Sequence, residues 1–207
     1  MAEQLDLPPI LVLDVDGVII EGFPRQRWDR HLKADLGVNP KKLQRRFFKP
    51  YWPDVVSGRT PVEEPLAAFL AEHAPHLTVE RFLEYWHGRD ARVVQEVIDA
   101  AKRWQQDSNG SLALATNQDA ARAAYLKDNL GLQVHFPVMV VSCEVGALKP
   151  EPGFFRQADR LLGRKSGQRV IFLDDLKDNV EAASLHGWEA YHVNETIGAV
   201  EIIEELE

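Results

Sequence analysis

The chain has 207 residues, enough for a full α/β core and one small additional domain. With 45% hydrophobic and 27% charged residues it has the composition of a folded globular protein, and its net charge of −8 argues against non-specific nucleic-acid binding, which needs a basic face. No stretch approaches the roughly 20 apolar residues of a membrane helix, and the single cysteine, Cys143, excludes an internal disulfide and fits a reducing compartment.

A cytoplasmic protein without membrane or nucleic-acid partners is therefore expected. Residues 8–16, PPILVLDVD, predict a buried strand: an apolar run launched by prolines and ending in carboxylates. A long helical region follows. Asn39 before Pro40 reads as an N-cap with proline at the first helical position. Thr60-Pro61-Val62-Glu63 repeats that logic and adds a glutamate three residues after the cap, the pattern of a capping box. Thr78 is expected to cap a helix through Trp86, and residues 92–105 predict another. Nothing between 20 and 105 has strand character.

After Gly110 the rhythm changes. Residues 112–117 predict a strand and 119–130 a helix closed by Gly131. Residues 138–142 predict a strand, 152–162 a helix ended by Gly163, and 169–175 a strand. A helix over 179–186 ended by Gly187, a strand over 188–193 and a closing helix complete the chain. Strands alternating with helices imply right-handed crossovers and a doubly wound parallel sheet, a Rossmann-like α/β core. The first strand belongs to that set, so residues 1–19 and 106–207 are expected to form the core, with an all-helical cap inserted over 20–105. The insertion holds 15 Lys and Arg against 12 Asp and Glu, the remainder 9 against 20. An acidic core facing a mildly basic lobe suits a divalent cation and an anionic substrate between them.

Four polar signals fall at the ends of consecutive core features. They are Asp14-Val15-Asp16-Gly17-Val18 after the first strand, Thr116-Asn117 after the second, Lys149-Pro150 in the loop after the third, and Asp174-Asp175 after the fourth. Each alone has an ordinary explanation as a turn, a cap or a solvated loop. Together they converge, because the carboxyl ends of strands in such a sheet line one crevice. Adjacent carboxylates at a buried strand end also call for a compensating cation. Roles follow from charge. On a phosphate monoester Asp14 would attack phosphorus, Lys149 would pair with the attacking carboxylate and the phosphoryl oxygens, and the Thr116 hydroxyl and nearby amides, with Asn117 and Gly17, would hydrogen-bond those oxygens. Asp16 protonates the leaving oxygen and then deprotonates the hydrolytic water.

These residues give the chain a resemblance to the haloacid dehalogenase-like hydrolases over nearly the whole core. The superfamily's Asp-x-Asp-x-(Thr/Val) is matched by Asp14, Asp16 and Val18, its Ser/Thr by Thr116, its lysine by Lys149, and its acidic pair by Asp174 and Asp175 within FLDDLKDNV. The resemblance implies Mg²⁺ bound by Asp14, by the backbone carbonyl of Asp16 and by one aspartate of the pair, with Asp175 direct and Asp174 indirect. It also implies a small cap like that of sugar-phosphate phosphatases and of the phosphatase domain of soluble epoxide hydrolases. The cap match is looser, with Pro65 interrupting it, and Pro137 is a second departure, away from the chemistry. The expected function is hydrolysis of a small phosphorylated metabolite, such as a sugar phosphate. The alternatives are a phosphosugar mutase, a 2-haloacid dehalogenase, whose founding members lack the second aspartate, and a silent binding protein. Of the aromatic and basic residues over 23–52, most are expected in the cap's own core, with Arg25 and Trp52 as candidate substrate contacts. Lys41, Lys42, Arg45, Arg46 and Lys49 read as one solvated helix face.

Overall fold

The computed structural model describes residues 7–20 and 27–206. Among them five strands form one sheet: β1 (Ile10–Leu13), β2 (Ser111–Thr116), β3 (Val138–Val141), β4 (Val170–Asp174) and β5 (Glu189–His192). Their order is β3-β2-β1-β4-β5, and every pairing is parallel. The strands read as unbroken apolar runs because both faces are covered. Successive side chains alternate between faces. Leu11, Leu13, Leu112, Leu114, Ile171 and Leu173 enter one core cluster, and Ile10, Val12, Ala113, Ala115, Val170 and Phe172 enter the other.

Between β1 and β2 lie α1 (Leu32–Leu36), α2 (Pro40–Leu43), α3 (Lys49–Val56), α4 (Glu63–His73), α5 (Val79–Arg89) and α6 (Gln95–Ser108). The remaining helices alternate with strands: α7 (Ala120–Ala124), α8 (Ser142–Val145), α9 (Pro152–Leu162), α10 (Lys177–His186) and α11 (Ala199–Glu204). The α9 helix runs between the proline and glycine that mark it in the sequence, with Gly163 left-handed at φ 63°. Asn39 and Thr78 act as the expected caps, accepting from the N–H groups of Lys42 and Arg81, each at 3.2 Å.

Two expectations need correction. Thr60 caps nothing: its N–H and that of Arg59 still bond the Asp54 carbonyl in the turn closing α3, and α4 starts only at Glu63. Pro65 then falls in the first turn of α4, where its missing N–H costs no helical bond. The boundary expected at residue 105 runs through α6. That helix buries Val97, Ile98, Ala101 and Trp104 in the sheet's core, so it belongs to the α/β layer. The separate helical cluster is built from Leu32, Leu43, Phe47, Leu66, Phe69, Phe82 and Trp86, all from the elements before residue 90.

Where the chain leaves and re-enters the α/β layer, its two crossings lie side by side. The Val94 N–H donates to the Ile19 carbonyl at 2.8 Å, Ile20 bridges Val93 antiparallel, and Ile20 also bridges Asp16. A second contact joins the end of α3 to α8. The Ser142 hydroxyl donates to the Val56 carbonyl at 2.6 Å. Beside it Gly58, at φ 75°, leaves no room for a side chain, since a Cβ there would stand 2.2 Å from the Cys143 carbonyl oxygen. No helix among the described residues is long and apolar enough to cross a membrane.

Candidate active site

Because β1, β2 and β4 are adjacent and parallel, their C-terminal ends deliver Asp14, Thr116 and Asp174 to one edge of the sheet. The Asp14 N–H continues the ladder by donating to Leu173 O at 2.9 Å. A cleft of about 160 Å³ at this edge is lined by Asp14, Asp16, Thr116, Asn117, Lys149, Asp175, Leu176 and Asn179. Six of the predicted site residues therefore line this cleft, and a seventh, Asp174, is bonded to Lys149 beneath it.

Lys149 is the electrostatic centre. The residue is 4% exposed, and its ammonium lies 2.9 Å from Asp14 Oδ1 and 2.6 Å from Asp174 Oδ2, with a third bond of 2.7 Å to the Ala115 carbonyl. All three donors of the ammonium are thus placed. Burial alone would lower its pKa, yet Asp14 and Asp174 outweigh that, and the net shift is upward. The loop carrying it is fixed by the Asn117 side chain, which accepts from the Lys149 N–H and donates to its carbonyl, both at 2.9 Å. The Lys149–Pro150 peptide within that loop is cis. Asn117, expected among the phosphate contacts, lines the cleft while its side chain serves this loop.

Burial pushes the Asp14 carboxyl well above the ordinary carboxylate range; Lys149 opposes the shift, and Asp174 and Asp16 reinforce it. Its Oδ1 accepts from the Val15 N–H at 2.7 Å and faces Lys149, while Oδ2 has no such partner among the described residues. Asp174 is fully committed. Its two oxygens accept from Leu176 N–H at 2.8 Å, from Asn179 Nδ2 at 3.0 Å on each side, and from Lys149. Three donor groups thus make four contacts to its two oxygens.

Asp16 stands half exposed at the mouth. Its Oδ2 accepts from Gln118 Nε2 at 2.7 Å; its Oδ1 is buried without a hydrogen bond, 4.0 Å from the Arg122 guanidinium. Arg122, on α7, is 3% exposed and donates to the carbonyls of His87 and Asp90 at the end of α5. Gln118 and Arg122 had no mark in the sequence reading. Glutamine has no motif meaning beside Thr116, and an arginine within AARAA looks like a solvated helix position.

Two predicted contacts are placed differently, and a third is not among the described residues. Gly17 does not line this cleft; at φ 79° it makes a turn, and its N–H is spent on the Ile20 carbonyl at 2.7 Å. Trp52, partly buried, does not line this cleft and packs against the helical cluster, 5.1 Å from the Phe48 ring and 5.6 Å from the Trp86 ring. Arg25 lies outside the described residues.

Oxygens of Asp14, Asp174 and Asp175 lie within 4.8 Å of one another. Hard carboxylate oxygens in excess of nearby cations fit a divalent ion such as Mg²⁺. So does the upward push on Asp14, which a cation would reverse.

Known proteins share this arrangement of elements. The chain aligns with rat bifunctional epoxide hydrolase 2 (Rattus norvegicus) at 33% identity over 75 residues, 36% of this chain and 13% of that protein's length. Among solved structures, a haloacid dehalogenase (HAD) family enzyme of Bacteroides thetaiotaomicron in complex with magnesium and inorganic phosphate superposes with a TM-score of 0.73. It is 16% identical, over 90% of this chain and 94% of that one. A predicted HAD-like family hydrolase of Porphyromonas gingivalis gives 0.73 at 20% identity, over 96% and 98%. A 2-haloacid dehalogenase of Pseudomonas syringae gives 0.64 at 20%, over 91% and 87%. At these identities the structures establish the fold alone. The model of the haloacid dehalogenase-like hydrolases, however, matches residues 9–187, from the strand before Asp14 to the glycine after α10, and the chain belongs to that family.

Proposed function

We propose that the chain is a Mg²⁺-dependent phosphatase acting on a small phosphorylated metabolite, with a sugar phosphate as the first candidate. The observation that carries this reading is Lys149 held between Asp14 and Asp174 in a small cleft that also presents Asp16. A 2-haloacid substrate leaves as halide and needs no proton donor, so a carboxylate at position 16 favours phosphoryl chemistry.

Asp14, the Asp16 carbonyl and Asp175 would hold Mg²⁺, which neutralises charge on the phosphoryl oxygens when bound. Asp14 attacks phosphorus; its new O–P bond forms as the ester P–O bond breaks, and Asp16 gives its proton to the departing oxygen. Asp16 then takes a proton from the water that attacks the aspartyl-phosphate. The O–P bond to Asp14 breaks, releasing phosphate and restoring Asp14 as the carboxylate and Asp16 as the protonated acid. Lys149 steadies Asp14 and the phosphoryl oxygens as a fixed charge, and the Thr116 hydroxyl is placed to donate to the same oxygens. The helical unit before residue 90 serves as the cap. The cleft lining comes entirely from the α/β layer, leaving the cap to act on the leaving group. Magnesium and phosphate in the Bacteroides enzyme support this reading.

The test is a panel of phosphorylated metabolites with Mg²⁺, scored for free phosphate. EDTA should stop release and Mg²⁺ restore it. Accumulation of a phosphate isomer would point to a mutase instead, and halide release from a 2-haloacid without added metal would point to a dehalogenase.

A further inference from the structure

Gln118 follows the strand that ends in Thr116, yet its side chain turns back towards the mouth of the cleft and is 4% exposed. Its amide nitrogen reaches Asp16 Oδ2 at 2.7 Å and Thr116 Oγ1 at 3.3 Å. A carboxylate accepts only, so the group facing Asp16 is the amide's NH₂ end, and its two hydrogens serve two cleft residues at once. Within hydrogen-bond distance, Gln118 is the side chain that fixes the Asp16 carboxylate among the described residues. The other oxygen, Oδ1, has no hydrogen bond among the described residues and lies 4.0 Å from the Arg122 guanidinium.

Gln118 is itself held from behind. Its N–H donates to the Ser142 hydroxyl at 3.0 Å, and that hydroxyl donates to the Val56 carbonyl at 2.6 Å. Hydrogen bonds therefore link the end of α3 through Ser142 to the Gln118 main chain, and the Gln118 side chain carries the link on to Asp16. An amide suits this task. It carries no net charge, so it sets where the carboxylate stands without adding to the charge of the Arg122 guanidinium 4.0 Å from Oδ1.

We propose that Gln118 is a positioning residue that aims Asp16 at the leaving-group oxygen, with Ser142 coupling that aim to the docking of α3. The proposal rests on the phosphatase reading and on Asp16 as its proton donor. Loss of aim should matter where the leaving group needs a proton and matter little where it does not.

The experiment compares kcat/KM on an alkyl phosphate with that on 4-nitrophenyl phosphate, with Mg²⁺, for the wild type and for Asp16→Asn, Gln118→Met and Ser142→Ala. Gln118→Met keeps the shape and removes both donors; Ser142→Ala reaches Gln118 through its main chain and leaves its side chain intact. Thermal melting reports folding. The expected result is a roughly ten-fold loss on the alkyl ester for Gln118→Met, against a change within about three-fold on the nitrophenyl ester. Asp16→Asn should show the same split enlarged, and Ser142→Ala the same split reduced. If Asp16→Asn lowers both substrates equally, the proton-donor reading fails and the proposal fails with it. If Asp16→Asn splits the substrates while Gln118→Met and Ser142→Ala do not, the proposal alone is overturned. Should Gln118→Met not fold, the Ser142→Ala split decides.

Discussion

Charged groups at the strand tips and charged groups on the helical unit are treated in opposite ways. At the tips Asp14, Lys149 and Asp174 are buried and bonded to one another and to backbone, and the pKa values of Asp14 and Lys149 are pushed upward. On the helical unit the basic residues Lys41, Lys42, Arg45, Arg46 and Lys49 are all exposed, while the interior is aromatic and aliphatic. Burying an ion pair opposes folding unless its geometry is exact enough to offset desolvation. A fold keeps such a cluster where chemistry requires it. The lesson is that damage at the tips should appear as lost turnover, and damage in the helical unit as lost stability.

The sharpest way to break that contrast is Asp14→Asn, which removes the proposed nucleophile and nearly nothing from the packing. Turnover should fall more than about 100-fold with the melting temperature little changed, and a variant keeping more than about 1% of activity would contradict the assignment. Next comes Lys149→Met. It leaves Asp14 and Asp174 buried without their shared cation, so it should cost about 3–5 kcal/mol in urea unfolding as well as most of the activity. A stable, inactive Lys149→Met would show the pair to be catalytic only.

His87 offers a test on the helical side. Burial and then Arg122 lower its pKa from 6.5 to about 4. The folded state therefore holds it neutral while the unfolded chain takes a proton below pH 6.5. The associated stability is full above pH 6.5 and is lost as pH falls towards 4, by about 2 kcal/mol once partial solvent screening is allowed for. His87→Phe should flatten that part of the unfolding profile relative to wild type; parallel profiles would exclude His87 as its source. The smallest effect is expected at Trp52→Ala, which opens a gap in a half-buried aromatic cluster. It should lower stability by about 2 kcal/mol while kcat stays within a few-fold. A large kcat loss in a folded Trp52→Ala protein would return that residue to the substrate's path.

The strands and the tip residues were readable because they rest on local rules. Apolar runs flanked by proline and glycine mark the strands, and a parallel sheet of any such order gathers their carboxyl ends. What was not readable depends on distant partners. Thr60 has the composition of a cap, but the turn that closes α3 on Asp54 takes its N–H first. Gly17 announces a turn, and only the fold shows its amide used within it. The π-helical turns Gln44–Phe48 and Tyr125–Asn129 carry no residue pattern that distinguishes them from α-helix. Gln118 and Arg122 meet Asp16 across more than a hundred residues, a pairing that no spacing rule in one chain reveals.

The paired crossings between the two layers have a mechanical meaning. Ile19 and Ile20 going out are bonded to Val93 and Val94 coming back, so the helical unit hangs from a two-ply strap instead of two independent threads. One ply is also bridged to Asp16. Any rocking of the helical unit would twist that strap within four residues of the proposed proton donor, and amide exchange at Ile20 and Val94 would register it.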